Sequence, residues 1–161
     1  MRMPFRKPLI VIAPKKLLRL KGACSDIEEF AEGTRFHLLF EDKHPNLVAP
    51  EKVRKVVFCS GQVYYDIEAA RAKENINDVA ILRVESYCPF PFKEIIAELK
   101  NYKNAEICWA QEEPKNAGAW LYAEPRLRNI QEFLGRPDDV SYAGRPIAAA
   151  TAAGFMSAHN Q

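Results

Sequence analysis

Histidine, cysteine and glycine are scarce in this sequence, with 3, 4 and 7 of them in 161 residues, and their placement excludes several kinds of chemistry. Cys24, Cys59, Cys88 and Cys108 form no C-x-x-C pair, so no zinc-ligand spacing or dithiol redox motif can be read. The Gly-rich dinucleotide fingerprint and the Walker lysine motif are both absent, which leaves nucleotide catalysis unsupported. His37, His44 and His159 stand in no readable Cys/His or Ser/His arrangement. Long apolar runs are missing as well: Pro8-Leu9-Ile10-Val11-Ile12-Ala13 is among the longest, against the roughly 20 residues of a membrane span. The basic opening Met1-Arg2-Met3-Pro4-Phe5-Arg6-Lys7 lacks the apolar centre and cleavage site of a secretory signal. Charge of one sign is lacking too, because Lys+Arg 23 against Asp+Glu 21 leaves only +2. Neither nucleic acid nor a membrane is an expected partner, and the unpaired cysteines suit a reducing compartment.

What is present is an ordinary globular balance, 48% hydrophobic and 27% charged, with enough chain for one good-sized domain over 1–161. Leu9 to Ala13, bounded by Pro8 and Pro14, reads as a buried strand. Pro14 suits a first helical position for Lys15 to Leu20, which Gly22 stops, and Ser25-Asp26-Ile27-Glu28 has capping-box form. Phe36 to Phe40 predicts a strand, followed by a polar surface loop at Glu41 to Asn46 that should tolerate insertion. Strands are then expected at Val56–Cys59, Val79–Val84, Ala105–Ala110 and Val140–Ala143. Helices are expected at Val63–Asn75, from Pro91 through Tyr102, and at Trp120–Leu134 with an interruption near Pro125. The alternation predicts an α/β fold with a mainly parallel, doubly wound sheet in three layers.

In such sheets function gathers on the loops beyond the carboxyl ends of the strands. Ser60 and Gly61 open a helix and read either as an anion-facing N-terminus or as a tight turn. Lys15, with Arg6 and Arg19 nearby, offers a local basic site or a solvated basic face. Glu112 and Glu113 are adjacent and diverge, which argues against an acid/base pair. In the structural reading Gln111 or Glu113 hydrogen-bonds across an interface while Trp120 packs behind the loop. Cys59 and Cys108 fall within strands as core thiols, and of the apolar and aromatic content around Trp109, Trp120, Tyr122 and Phe155 some is expected to be covered by partner surfaces.

Several runs together resemble one family. They are Phe5-Arg6-Lys7-Pro8-Leu9-Ile10-Val11, Pro14-Lys15-Lys16-Leu17-Leu18-Arg19, Phe58-Cys59-Ser60-Gly61-Gln62-Val63-Tyr64-Tyr65-Asp66, the segment from Gln111 through Gly118 to Trp120, and Tyr142-Ala143-Gly144-Arg145-Pro146. In this order they are similar to the carboxy-terminal domain of the thiamine-diphosphate-dependent first component of 2-oxoglutarate dehydrogenase. The resemblance implies a transketolase-like third domain that helps form the homodimer and holds no catalytic residues or cofactor of its own. Thiamine diphosphate and magnesium would belong to the full-length enzyme, whose partners are the rest of the parent chain, a second copy and the lipoyl succinyltransferase. It also implies a fragment of a longer chain, since family members continue upstream of Phe5 and carry a further helix after Gly154-Phe155-Met156-Ser157-Ala158-His159.

Some members of that family bind an effector near this domain, and position and charge make Arg6, Lys15, Arg19, Ser60, Gln62 and Arg83 the candidates here. Gln111, Glu113 and Trp120 are the interface candidates. The expected location is the mitochondrial matrix in a eukaryote or the cytoplasm in a bacterium. The alternatives are the same domain of 2-oxoadipate dehydrogenase and a stand-alone module that binds CoA or a nucleotide.

Overall fold

The computed structural model describes residues 4–136, 139–152 and 154, and the chain divides into two compact units, Met1–Thr34 and Arg35–Gln161. In the first unit the only regular structure among the described residues is a set of 3-10 turns at Lys15–Arg19, Lys21–Ala23 and Ile27–Phe30. The strand expected at Leu9–Ala13 is not formed, and its side chains are exposed. A strand needs a ladder partner for its backbone, and the described part of this unit has none. The basic helix shrinks to a 3-10 turn with Pro14 just outside it, while Gly22 lies inside the next turn instead of ending the first. Segments this short do not repay helix nucleation. The capping box sits one residue later than expected, on Asp26 and Glu29, whose carboxylate accepts from the Asp26 N–H at 3.3 Å.

The second unit holds a five-stranded sheet in the order β1-β3-β2-β4-β5. Its strands are β1 Leu39–Phe40, β2 Lys55–Cys59, β3 Val79–Val84, β4 Glu106–Pro114 and β5 Ser141–Arg145. Only β1 runs antiparallel, with Leu39 opposite Val84. Of the strand expected at Phe36–Phe40, two residues pair. β2 lies at the centre, Val56 registering with Ala80 on one side and Ile107 on the other. Among the described residues the unit also holds a 3-10 turn at Pro50–Lys52 and three α-helices: α1 Val63–Lys73, α2 Phe92–Leu99 and α3 Trp120–Phe133.

Alternation along β2 sorts the layers. Val56 and Phe58 join Ile95 and Leu99 of α2 and Ala123, Leu127 and Ile130 of α3 in one core cluster. Val57 and Cys59 face the other way, onto Val63, Tyr64 and Ile67 of α1. Both faces are therefore covered, which is why the strands read as unbroken apolar runs. α2 ends at Leu99, before the expected Tyr102, which is buried just beyond it. Pro125 does not interrupt α3; it lies on the exposed face, and the buried stripe from Trp120 to Ile130 holds the helix through it. β4 continues to Pro114, through residues whose polarity reads as loop.

Candidate functional site

The central strand defines a crevice. β2 leads into α1 on one face and β4 into α3 on the other, so the chain diverges between the carboxyl ends of these neighbouring strands, where α/β sheets place their sites. Ser60 and Gln62 border it from β2, and Glu112 and Glu113 from β4. The Gln62 amide reaches across to Glu112 at 3.5 Å. Tyr87 stands beside Ser60, and burial raises the pKa of its hydroxyl above the ordinary value. Beneath them burial pushes the Cys59 thiol up to about 12, so it remains protonated and unreactive.

The far side of the crevice is organised by one side chain. Gln111 is buried, and its carboxamide oxygen accepts from the indole N–H of Trp109 at 3.0 Å and from the backbone N–H groups of Ala119 at 3.1 Å and Trp120 at 2.9 Å. Its NH₂ donates to the carbonyls of Glu113 at 3.2 Å, Pro114 at 3.1 Å and Ala117 at 2.8 Å. An amide has two donors and two acceptor lone pairs, so this one is saturated. The interfacial hydrogen bond expected of Gln111 is thus replaced by bonds inside the chain; they close the loop before α3 and supply the capping that Ala119, as N-cap, cannot.

Glycines let the backbone approach this amide. Gly118 has φ +64°, and a Cβ there would stand 2.9 Å from the Gln111 oxygen. A Cβ on Gly144 would stand 2.6 Å from the Tyr142 hydroxyl and 2.7 Å from the Gln111 carbonyl oxygen. Tyr142 shares its hydroxyl proton between the carbonyls of Glu113 and Arg145 at 3.0 and 2.9 Å, and its ring packs edge-on to Trp120 at 5.1 Å. The Lys115 ammonium lies 5.4 and 5.5 Å from the Trp120 and Tyr142 rings. Asn116 ties the clamp to the segment after β5, donating to the Ala148 carbonyl at 2.9 Å and accepting from its N–H at 3.2 Å.

These linked runs can be set beside known proteins. The family model described as 2-oxoglutarate dehydrogenase C-terminal matches residues 24–161. Proteins named 2-oxoglutarate dehydrogenase E1 component from Brucella anthropi, Brucella abortus and Brucella melitensis are each 46% identical over 99% of this chain, which spans 17% of their length. This chain belongs to the 2-oxoglutarate dehydrogenase C-terminal family. In this member of the family, the Gln111–Trp120 and Tyr142–Pro146 runs are two halves of one clamp.

The effector candidates of this family member are divided. Arg6, Lys15 and Arg19 are exposed residues of the first unit, while Ser60, Gln62 and Arg83 belong to the second. Arg83 is already engaged: Glu85 pairs with it at 2.7 Å, the Tyr65 hydroxyl accepts from it at 3.0 Å, and the rings of Phe40 and Tyr64 lie 4.6 and 4.7 Å from its guanidinium. Among the described residues no group of three His, Cys, Asp or Glu side chains is placed to hold a metal ion.

Of the interface candidates, Glu113 is exposed and Trp120 is buried behind the loop. The expected apolar set does not form a surface patch: Trp109 and Trp120 are buried, Tyr122 is half-buried, and Phe155 lies outside the described residues. Among the described residues of the second unit the exposed large apolar side chains are instead Leu121, Phe133, Ile147, Phe36, Phe92 and Tyr87.

A second polar centre escaped the sequence reading. Asp42, placed in an insertable loop, has a side chain 1% exposed and pairs with Arg71 of α1, whose side chain is 3% exposed. The same carboxylate accepts from the backbone N–H groups of Ile81 at 2.7 Å and His44 at 2.9 Å. Arg71 also donates to the Val79 carbonyl at 3.0 Å. The loop after β1 is thereby anchored to both α1 and β3.

Proposed function

We propose that this chain is the dimerisation and regulatory domain at the carboxyl end of a 2-oxoglutarate dehydrogenase E1 component, and that it contributes an interface rather than chemistry. In the intact enzyme, thiamine diphosphate with magnesium would supply the decarboxylation chemistry from residues outside this domain, and the succinyl group would pass to a lipoyl-bearing succinyltransferase. The names of the Brucella relatives favour 2-oxoglutarate over 2-oxoadipate as the substrate of the whole. Their bacterial origin favours the cytoplasm as its location.

The observation that carries the reading is the Gln111 clamp. It holds Glu112 and Glu113 at the end of β4 and Lys115 on the loop after it outward on a braced rim, with Leu121 exposed on the adjoining helix, and a preorganised rim with an apolar anchor is what an interface requires. An effector phosphate has less support, since Glu85 already meets the charge of Arg83.

Light scattering and a decarboxylation assay test the proposal together. The purified chain should associate above its 18.3 kDa monomer mass as concentration rises, and Leu121→Asp with Glu113→Arg should weaken that association. With thiamine diphosphate and magnesium it should turn over no 2-oxoglutarate beyond a heat-killed control. A monomer at every concentration would contradict the dimerisation role, and measurable turnover would contradict the absence of chemistry.

A further inference from the structure

The sheet has a second opening, at the end opposite the crevice. β4 and β5 run parallel, and Ser141, the first residue of β5, registers with Cys108, so Glu106 and Ile107 at the start of β4 have no β5 residue beside them. A cleft of about 470 Å³ occupies that gap, with Lys103, Asn104, Glu106, Arg136, Asp139 and Ser141 in its lining. The Ser141 hydroxyl donates to the Ile107 carbonyl at 3.1 Å, so that carbonyl is satisfied within the chain.

The charges of this cleft do not cancel. Arg136 donates through Nη1 to the Tyr102 carbonyl at 2.9 Å and through Nη2 to the Ala105 carbonyl. These neutral acceptors fix the plane of the guanidinium, use only part of its donors and leave its charge unmet. Lys103 is exposed, and among the described residues no carboxylate pairs with it or with Arg136. The two acids of the lining each have a cation elsewhere: Glu106 pairs with Lys55 at 3.2 Å, and Asp139 approaches Arg128 at 3.9 Å. A guanidinium already set in orientation beside a free ammonium suits the oxygens of a phosphate. The cleft is also of small-molecule size, with more room than a bare phosphate fills, and its amide, hydroxyl and carboxylate groups suit a hydroxylated ligand rather than an apolar one. We propose that it binds the phosphate monoester of a small polyol or sugar, with the phosphate between Arg136 and Lys103 and the hydroxyls against Asn104 and Glu106. The site is separate from the crevice at the carboxyl ends of the strands and independent of the dimerisation reading.

Amide chemical shifts of the isotope-labelled chain, titrated with glycerol 3-phosphate and separately with inorganic phosphate, test it against sodium chloride at matched ionic strength. Glycerol 3-phosphate should move the amides of Asn104, Glu106 and Ser141 and saturate below about 10 mM, with inorganic phosphate at least about tenfold weaker. Lys103→Glu, at an exposed position, should weaken binding by at least about tenfold without moving the urea midpoint. Arg136→Lys keeps the charge and loses the planar fork, so it should also weaken binding by about tenfold. Its fold is checked by the same midpoint, and Lys103→Glu decides alone should Arg136→Lys not fold. Shifts that follow ionic strength without saturating would overturn the proposal, as would shifts centred on Ser60 and Gln62 or unchanged affinity in Lys103→Glu. Equal affinity for the two probes would overturn the assignment to a monoester.

Discussion

The carboxamide oxygen of Gln111 accepts a hydrogen bond from the indole N–H of Trp109, two residues earlier on the same strand, at 3.0 Å. The same oxygen receives the N–H of Trp120 at the start of α3, so one atom joins the central sheet to the helix that covers it. Replacing Gln111 with Leu keeps much of the volume and strands the donors and carbonyls it satisfies. Each buried unsatisfied group costs about 1–3 kcal/mol, so Gln111→Leu should destabilise the second unit by about 3–5 kcal/mol in urea denaturation and alter the near-ultraviolet dichroism of both tryptophans. A loss under about 1 kcal/mol would show that the clamp is not what holds the loop.

Two glycines separate backbone strain from close approach. Gly61 and Gly118 both have positive φ, +72° and +64°, but a Cβ at 61 would meet nothing within 4 Å whereas one at 118 would meet the Gln111 amide at 2.9 Å. Gly61→Ala should cost about 1 kcal/mol from conformation alone. Gly118→Ala should cost at least about 1 kcal/mol more, because the saturated amide has nowhere to move. Equal midpoints for the two variants in urea would refute the close-approach argument.

Asp42 and Arg71 form a buried pair, and removing one partner leaves the other charged and uncompensated. Arg71→Met should destabilise by about 3–5 kcal/mol, with Asp42→Asn also destabilising, while the double variant should lose less than the sum of the two. A double-mutant cycle in urea checks this. Strict additivity would mean that the two residues act separately.

The cysteines should sort by burial. A thiol reagent at pH 8 should titrate Cys24 and Cys88 in the native chain, and all four cysteines after denaturation, since Cys59 and Cys108 are buried and every one is free. Burial raises the Cys59 pKa from 9.0 to about 12. Between those values the unfolded chain ionises this thiol while the folded chain keeps it protonated, so the stability it contributes is complete below pH 9 and is lost as the pH rises toward 12. Cys59→Ala should flatten that part of the stability profile; an unchanged slope would assign the loss to other groups.

The strands of the centre were legible because burial on both faces leaves an unbroken apolar signature, as in Val56–Cys59 and Val79–Val84. Where a strand end is held by polar groups the signature disappears, and Gln111-Glu112-Glu113 read as loop although β4 runs through to Pro114. The opposite failure occurred at Leu9–Ala13, where apolar composition is present and the ladder partner is not. Asp42 and Arg71 stand 29 positions apart and each looks like surface charge alone; only the fold brings them together. The site was legible as a rim, through Ser60, Gln62 and Glu113, but composition could not show that Gln111 turns inward or that Arg83 meets Glu85.

The most direct test of the central claim replaces the aligned region of the intact Brucella abortus E1 component with this chain and measures 2-oxoglutarate decarboxylation in the presence of thiamine diphosphate and magnesium. If this chain serves as the C-terminal domain of such an enzyme, the chimera should keep kcat/KM within about tenfold of the parent, a change under about 1.4 kcal/mol in the barrier. A folded chimera without 2-oxoglutarate turnover would contradict the account.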